Sequence, residues 1–261
     1  MLDPTSTCEG RSCRVSFVYP TYGWSKQHLA ITAVHVMSAR DTIFAKIRKG
    51  LEGEMRDTGR EQAVTSRIAA RFRHPTPARV AGKSHDQHIA LFKQHMSGQS
   101  ATILDAASMD DVPSLIANYL RQHNLPARIS MGEDATLNTL PWSKEPGLTR
   151  KPGRAAPDDE VSLSHATAGV AETGTLFMAS GPDNPVTLNF LPETHIVVLE
   201  VKDVVGPYED AWMKIRARFG DRTMPRTVNM ISGPSRTGDI GGKLVMGAHG
   251  PRRLCVVMVK G

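Results

Sequence analysis

Residues 101–131 read ATILDAASMDDVPSLIANYLRQHNLPARISM, and this stretch carries the pattern that decides the fold. It predicts a strand over residues 101–104, a helix from about 111 to 123, and a second strand over 127–131. Pro113 falls in the first turn of that helix, where the missing N–H of proline costs no hydrogen bond. A strand, a helix and a strand in this order favour parallel pairing, with the helix packed on the sheet.

The chain beyond residue 160 continues with short apolar runs that predict further strands. These are expected over residues 161–164, 175–179, 196–201, 227–231 and 254–259, with a helix over 208–219. The last run is expected to close the sheet. Together the runs predict an α/β fold with a largely parallel or mixed sheet flanked by helices. None approaches the about 20 apolar residues that a membrane-spanning helix needs.

An N-terminal helical region is predicted over residues 37–98, ahead of an α/β core over 99–261. Its helices are expected at about residues 38–52, 60–73 and 85–96. Ser38 and Asp41 have the spacing of a capping box, in which the serine caps the first turn and the acidic side chain reaches back. Residues 1–36 show no clear helical period. They are expected to be a disordered extension or a mis-called start, with a structured arm as the alternative.

A long connection is predicted between the early and late strands. Residues 140–160 hold four prolines and two glycines among charged residues. A loop of this length without regular structure is usually a lid or a mobile connection in a compact domain. We therefore expect a mobile loop, with disorder that serves no function as the alternative.

Composition places the chain among globular proteins. It has 261 residues, of which 40% are hydrophobic and 22% charged, and a net charge of +6. Much of the basic excess falls in residues 38–80, which contain ten Lys and Arg but only five Asp and Glu. A patch for nucleic acid would have this charge, but so would the solvated faces of surface helices. Stacking aromatics are missing, since Phe44 and Phe72 fall at helical core spacing, so no nucleic-acid partner is expected.

The cysteines argue against redox and metal chemistry in this chain. Cys8, Cys13 and Cys255 form no readable disulfide framework, which suits a reducing cytoplasm. An iron–sulfur cluster takes about four thiolates, and the zinc pattern Cys-x-x-Cys does not occur. His85 and His88 have a metal-like i,i+3 spacing without an acidic partner, so we interpret them as surface histidines. We expect no metal site and no cofactor held by this chain.

Glu172-Thr173-Gly174-Thr175 forms the first candidate cluster, between two predicted strands. A glycine flanked by hydroxyls allows the backbone to approach a ligand closely. Glu172 beside such a turn suits a base, a nucleophile or a carboxylate that orients a ligand. The alternative is a hairpin turn with an exposed glutamate.

The second cluster follows the predicted strand 227–231. Loops at the carboxyl ends of parallel strands bind ligands in α/β sheets. Hydroxyls, one guanidinium and backbone N–H groups freed by glycine suit an anion. The residues concerned are Ser232, Gly233, Ser235, Arg236, Thr237 and Asp239. Gly233 and Gly238 have the spacing of a phosphate loop, but Asp239-Ile240 replaces the Lys-Ser/Thr that a nucleotide site needs. A strand–helix turn capped by Asp239 is the alternative.

Two histidines complete the candidates. His249 and Gly250 lie in a glycine-rich turn before the last strand, and His195 opens the strand over 196–201. An accessible histidine titrates near neutral pH and suits proton transfer or binding. A purely structural role is the alternative for each. The dinucleotide fingerprint G-x-G-x-x-G does not occur, which disfavours a standard NAD site.

Four short stretches occur together in this chain: 171–176 (AETGTL), 191–196 (LPETHI), 231–240 (ISGPSRTGDI) and 247–251 (GAHGP). Arg40-Asp41 and the LPW of residues 140–142 accompany them. In this combination the chain resembles the LUD-domain family, and most closely its lactate utilisation protein C group. The resemblance covers about residues 37–260 and leaves 1–36 unmatched.

The resemblance implies a fold like that of the ribose-phosphate isomerases and CoA transferases (NagB/RpiA/CoA-transferase-like). It also implies a role in bacterial oxidation of L-lactate to pyruvate, beside two iron–sulfur partner proteins that would hold the clusters. One departure is Gly241-Gly242, where the family usually carries a glutamate after Asp-Ile. If that glutamate binds a ligand or a metal, this chain lacks it.

Two functional hypotheses follow. The first is a non-redox subunit of an L-lactate-oxidising complex, whose electrons travel through the partner proteins. The second is a free-standing enzyme of the isomerase or CoA-transferase type, acting on an anionic small molecule. In that enzyme Glu172 would be the base or nucleophile, and residues 232–239 would hold the anion.

Overall fold

A computed structural model describes residues 38–51, 58–70, 75–220, 223–240 and 242–260. The expectations for residues 1–36 and for Gly241 therefore lie outside the described residues. The chain divides into two units, residues 1–71 and 72–261. Within the described ranges, no helix is long and apolar enough to cross a membrane.

The first unit contains α1 (Ala39–Leu51) and α2 (Thr58–Ala70), as the sequence predicts. The cap of α1 is present, since the Asp41 N–H donates to Ser38 Oγ at 3.2 Å. The Ser38 hydroxyl in turn donates to the Asp41 carboxylate at 2.6 Å. The apolar side chains of α1 are about half exposed, among them Phe44, which falls at helical core spacing in the sequence, and Ile47.

A six-stranded parallel sheet organises the second unit. Its strands are β1 (Thr102–Ala106), β2 (Arg128–Met131), β3 (Thr149–Pro152), β4 (Val161–His165), β7 (Thr194–Glu200) and β12 (Arg253–Val259). Their order is β1-β12-β7-β4-β2-β3, and every neighbouring pair is parallel. The predicted α/β fold with a largely parallel sheet is confirmed. The last strand, β12, lies inside the sheet between β1 and β7 rather than at its edge.

Helices cover both faces of this sheet. The predicted helix α4 (Val112–Gln122) buries Ile116 and Leu120 in a core with inward side chains of β4, β7 and β12. On the other face, α3 (His85–Gly98) buries Phe92 and Met96 in a core with alternate residues of β7 and β12. The inner strands β4, β7 and β12 therefore bury both faces, as parallel strands do. The helix α3, predicted with the N-terminal helices, belongs to this second unit.

The second unit also contains a smaller sheet of four strands. It contains β5 (Ala168–Val170), β6 (Thr175–Ala179), β8 (Val204–Val205) and β9 (Val228–Ile231), in the order β8-β5-β6-β9. The strand β9 runs antiparallel to β6. The helix α7 (Tyr208–Phe219) covers this sheet, with Trp212 edge-on to Phe177 at 5.2 Å between ring centroids. The sequence predicted β6 and β9 as strands of the same sheet as β4, β7 and β12, which is wrong, because an apolar run carries no signal for its partner strand.

Residues 140–160 contain regular structure where the sequence predicted none. Trp142 is buried in a 3-10 turn (Trp142–Lys144), and its Nε1–H donates at 2.8 Å to the Leu137 carbonyl of the short helix α5 (Ala135–Asn138). The edge strand β3 follows. Asp159 is buried and accepts from Lys151 at 2.7 Å and from Arg128 at 3.2 Å. Ion pairs, a buried indole and an edge strand are therefore present in a segment that composition alone describes as a loop.

Candidate functional site

A cleft of about 290 Å³ opens at the amino ends of β7 and β12. Its walls come from the short helix α6 (Val186–Phe190), from the end of β9, and from the two loops after β9 and before β12. The lining residues are Asn189, Phe190, His195, Met230, Ile231, Ser232, Gly233, Pro234, Ser235, Arg236, His249, Gly250, Pro251 and Leu254.

The cleft gathers most of the candidates that the sequence predicted in separate stretches. Seven of them line it: His195, Ser232, Gly233, Ser235, Arg236, His249 and Gly250. Ser235 joins the two loops, since its N–H donates to the Pro251 carbonyl at 2.8 Å and its hydroxyl accepts from the His249 N–H at 3.2 Å. Thr237 and Asp239 continue into β10 (Arg236–Ile240), which pairs with β11 (Lys243–Met246) in a hairpin. The alternative strand–helix turn is therefore wrong.

The cleft lies at the opposite end of the large sheet from the one that the sequence predicted. The prediction placed the ligand loop at the carboxyl end of a parallel strand. However, β9 belongs to the small sheet and is antiparallel to β6. Its carboxyl end therefore faces the amino ends of β7 and β12, where His195 and Leu254 lie.

The carboxyl ends of β4 and β7 hold a different cluster. His165 Nδ1 is 3.4 Å from Asp134 Oδ2, and His165 Nε2 is 3.9 Å from Glu200 Oε1. Burial would raise the pKa of Asp134, but hydrogen bonds from His165 and from the Leu137 N–H outweigh it and lower that pKa. Among the described residues no three His, Cys, Asp or Glu side chains form a group that could hold a metal ion.

His195 lies at the bottom of the cleft and is fully buried. Its Nε2 is 3.1 Å from Ser164 Oγ on β4. Burial lowers the pKa of His195 to about 3, so the imidazole is neutral at physiological pH. Its Nδ1 has no hydrogen-bond partner among the described residues. His195 is therefore a buried, neutral side chain of the cleft, while the exposed His249 remains a candidate.

Asn189 is a residue that the sequence did not single out. It is 1% exposed, lines the cleft and accepts a hydrogen bond from Ser164 Oγ at 3.5 Å through Oδ1. Within the part of the chain that the structure describes, its Nδ2 donates to nothing. An asparagine inside the apolar run Leu188-Asn189-Phe190 was the one signal available, because a buried amide needs partners.

Arg236 holds the end of α3 rather than standing free. Its Nη2 donates to the Gln99 carbonyl and to Ser100 Oγ, the latter at 2.9 Å. Gly233 approaches the same helix end: it has a φ of +147°, and a Cβ there would stand 2.9 Å from the Gln99 Cβ. The glycine and the arginine of the predicted anion loop therefore anchor that loop to α3, while both still line the cleft.

Glu172 lies outside the cleft lining, in the turn between β5 and β6. Its N–H donates to the Gly206 carbonyl at 3.1 Å, and its Oε1 is 3.4 Å from Arg79 Nη2. The turn is a hairpin between antiparallel strands, as the alternative expected, but the glutamate is buried rather than exposed. Gly174 has a φ of +65°, and a Cβ there would stand 2.6 Å from the His95 Cβ. The glycine serves close packing on α3.

Four hydroxyls link this turn to the cleft. Thr175 Oγ1 lies 2.6 Å from Thr173 Oγ1, 2.9 Å from Tyr208 OH and 2.7 Å from Ser232 Oγ. Thr173 Oγ1 is also 2.7 Å from Tyr208 OH. Ser232 lines the cleft, so the predicted threonines reach it through one serine. Tyr208 was missed because it lies 33 residues from Thr175 along the chain.

Comparison with known proteins identifies the family of this chain. The LUD domain model matches residues 89–259. A lactate utilization protein C of Shouchella clausii is 31% identical over 179 residues, covering 67% of this chain and 76% of that protein. An uncharacterized protein of Neisseria meningitidis is 27% identical over 229 residues, covering 85% of this chain and 94% of that protein. A DUF162 family protein of Deinococcus radiodurans, 18% identical, shares the fold with a TM-score of 0.51 over 68% of this chain and 99% of that one.

Proposed function

The chain belongs to the LUD domain family, and on this basis we propose that it is a non-redox subunit of a system that oxidises L-lactate to pyruvate. Several relatives are named lactate utilization protein C, among them proteins of Shouchella clausii and Exiguobacterium. In this proposal the chain binds a small organic anion in the cytoplasm, and two iron–sulfur partner proteins carry the electrons.

The cleft is the observation that carries this proposal. Its volume of about 290 Å³ is at the small end for ligand pockets, which suits a three-carbon acid. Arg236 and His249 line it, and its loops offer the Ser232 and Ser235 hydroxyls. These groups would orient a carboxylate, and the buried Asn189 would add an amide.

The division of labour with redox partners is supported by Cys255. This cysteine lies in β12, and burial raises the pKa of its thiol to about 12. A thiol with such a pKa stays protonated at neutral pH, whereas cluster ligation and thiol redox chemistry need the thiolate. Within the proposal, the electrons of lactate therefore leave through the clusters of the partner proteins, and this chain contributes binding and orientation.

The alternative of a free-standing isomerase or CoA-transferase-like enzyme depended on Glu172 as base or nucleophile. The structure places its carboxylate beside Arg79 and outside the lining of the cleft. No other observation favours that alternative. Turnover of an acyl-CoA or a sugar phosphate by the purified chain would restore it.

Deletion of the gene in its own host tests the proposal. We expect the deletion strain to lose growth on L-lactate and to keep growth on pyruvate, the product of the oxidation. Restoration by the intact gene controls for effects on neighbouring genes. Undiminished growth of the deletion strain on L-lactate would contradict the proposal.

A further inference from the structure

Asn189 and His195 line the cleft, and Ser164, which is not part of the lining, contacts both; we call these three side chains the polar floor. They are 1%, 0% and 0% exposed. Ser164 Oγ contacts both of the others, His195 Nε2 at 3.1 Å and Asn189 Oδ1 at 3.5 Å. One polar atom on each of those two side chains has no hydrogen-bond partner among the described residues. These atoms are His195 Nδ1 and Asn189 Nδ2.

Orphaned buried polar atoms are costly, because each has lost its water without gaining a partner. Two of them on residues that line one cleft indicate a ligand that supplies both partners. The hydroxyl of Ser164 has a single proton, so the hydrogen-bonding roles of His195 and Asn189 depend on each other. When Ser164 donates to Asn189, it accepts from His195 Nε2–H. The neutral ring then leaves Nδ1 as a bare acceptor and the amide leaves Nδ2 as a free donor.

The reverse arrangement leads to the same requirement. With the amide turned over, Asn189 donates to Ser164 and Ser164 donates to His195 Nε2. The free atoms are then a donor, His195 Nδ1–H, and an acceptor, Asn189 Oδ1. In either case the polar floor presents one donor and one acceptor, provided that the imidazole is neutral. Its deep burial keeps it so.

We propose that the polar floor selects 2-hydroxy carboxylates over 2-keto carboxylates, a specificity that rests on the function proposed above. A 2-hydroxy acid has a hydroxyl that donates and, on the adjacent carbon, a carboxylate that accepts. It therefore satisfies both free atoms, with the hydroxyl donating to His195 and the carboxylate accepting from Asn189. A 2-keto acid offers only acceptors and leaves its keto oxygen against the acceptor of the floor. The chain thus binds the substrate of the oxidation more tightly than its product.

Calorimetric titration of the full-length chain with three acids of equal charge tests this selectivity. L-Lactate has the hydroxyl, pyruvate has the keto oxygen, and propanoate has neither. We expect L-lactate to bind at least about tenfold more tightly than either of the others, because a mismatched buried hydrogen bond costs about that much. Equal or tighter binding of pyruvate, or no measurable binding of L-lactate, would overturn the proposal.

A pair of variants locates the effect. Asn189→Leu replaces the amide with an apolar side chain of similar size and should weaken L-lactate binding about tenfold or more. Thr194→Val is the matched control: Thr194 is also fully buried with an unpartnered Oγ1, but it does not line the cleft. It should bind L-lactate like the wild type. Unchanged affinity in Asn189→Leu would refute the role of the floor, as would an equal loss in both variants.

The two proposals fail in different ways. Loss of growth on L-lactate in the deletion strain, together with no preference for L-lactate over pyruvate by the purified chain, would overturn the selectivity alone. A clear preference for L-lactate, together with undiminished growth of the deletion strain on L-lactate, would overturn the proposed function alone.

Discussion

The buried imidazole of His195 should make the protein lose stability below pH 6.5, and replacing it should remove that loss. Burial holds the pKa of His195 at about 3 in the folded protein, against 6.5 for a histidine in water. Between these two values the unfolded chain binds a proton that the folded chain does not. The free energy of unfolding therefore falls as the pH falls through this window, and it is fully retained above pH 6.5.

The size of this loss follows from the two pKa values. Each pH unit between them costs about 1.4 kcal/mol. At pH 5, about 1.5 units below the unfolded pKa, the loss is about 2 kcal/mol relative to pH 8. His195→Gln keeps a polar side chain of similar size that does not titrate. Between pH 8 and pH 5 this variant should therefore lose about 2 kcal/mol less than the wild type.

Urea denaturation at pH 8, 6 and 5 provides the measurement, followed by tryptophan fluorescence. Trp142 and Trp212 both lie in the second unit, as His195 does. Hydrogen bonds lower the pKa values of Asp134 and Asp159 below the ordinary range of an aspartate, so both are ionised across the tested range. Parallel pH dependences in wild type and His195→Gln would refute the reasoning, because His195 would then be solvated or charged in the folded state. Thr194→Val, which leaves the imidazole in place, should follow the wild type.

Three further substitutions test the placement of the other candidates. Arg236→Ala should lower the free energy of unfolding by about 1 kcal/mol, because the arginine holds the end of α3, and wild-type stability in urea would contradict this. Glu172→Gln should lower the free energy of unfolding by less than about 1 kcal/mol, since Arg79 is largely exposed. It should leave the affinity for L-lactate unchanged in calorimetry, and a tenfold loss of affinity would show that Glu172 reaches the ligand. Gly174→Ala should lower the free energy of unfolding by about 2 kcal/mol or more, because it combines a φ of +65° with a Cβ 2.6 Å from that of His95. A melting temperature equal to that of the wild type would contradict that last prediction.

The elements with a clear local pattern could be predicted from the sequence. Pro113 and the apolar period of α4 indicated that helix, and the six apolar residues 254–259 indicated β12. The capping spacing of Ser38 and Asp41 located the start of α1. In each case the signal lies within a few residues along the chain, so packing elsewhere does not change it.

The assignment of strands to sheets could not be predicted, because it depends on distant parts of the chain. The runs that form β6 and β7 look alike, yet one joins the small sheet and the other the large one. This assignment also decides where the loop after β9 lies, and hence which end of the large sheet holds the cleft. Asn189 and Ser164 were missed for the same reason, since they meet only across 25 residues of chain.

Formation of pyruvate from L-lactate in cells that lack the gene and carry one of two variants tests the central claim most directly. Each variant changes one buried residue, and only Asn189 lines the cleft. We expect Asn189→Leu to leave pyruvate formation at subsaturating L-lactate about tenfold or more below that of the wild type, and Thr194→Val to restore it fully. Full restoration by Asn189→Leu, at equal protein abundance, would contradict the claim that lactate utilisation depends on binding at the polar floor.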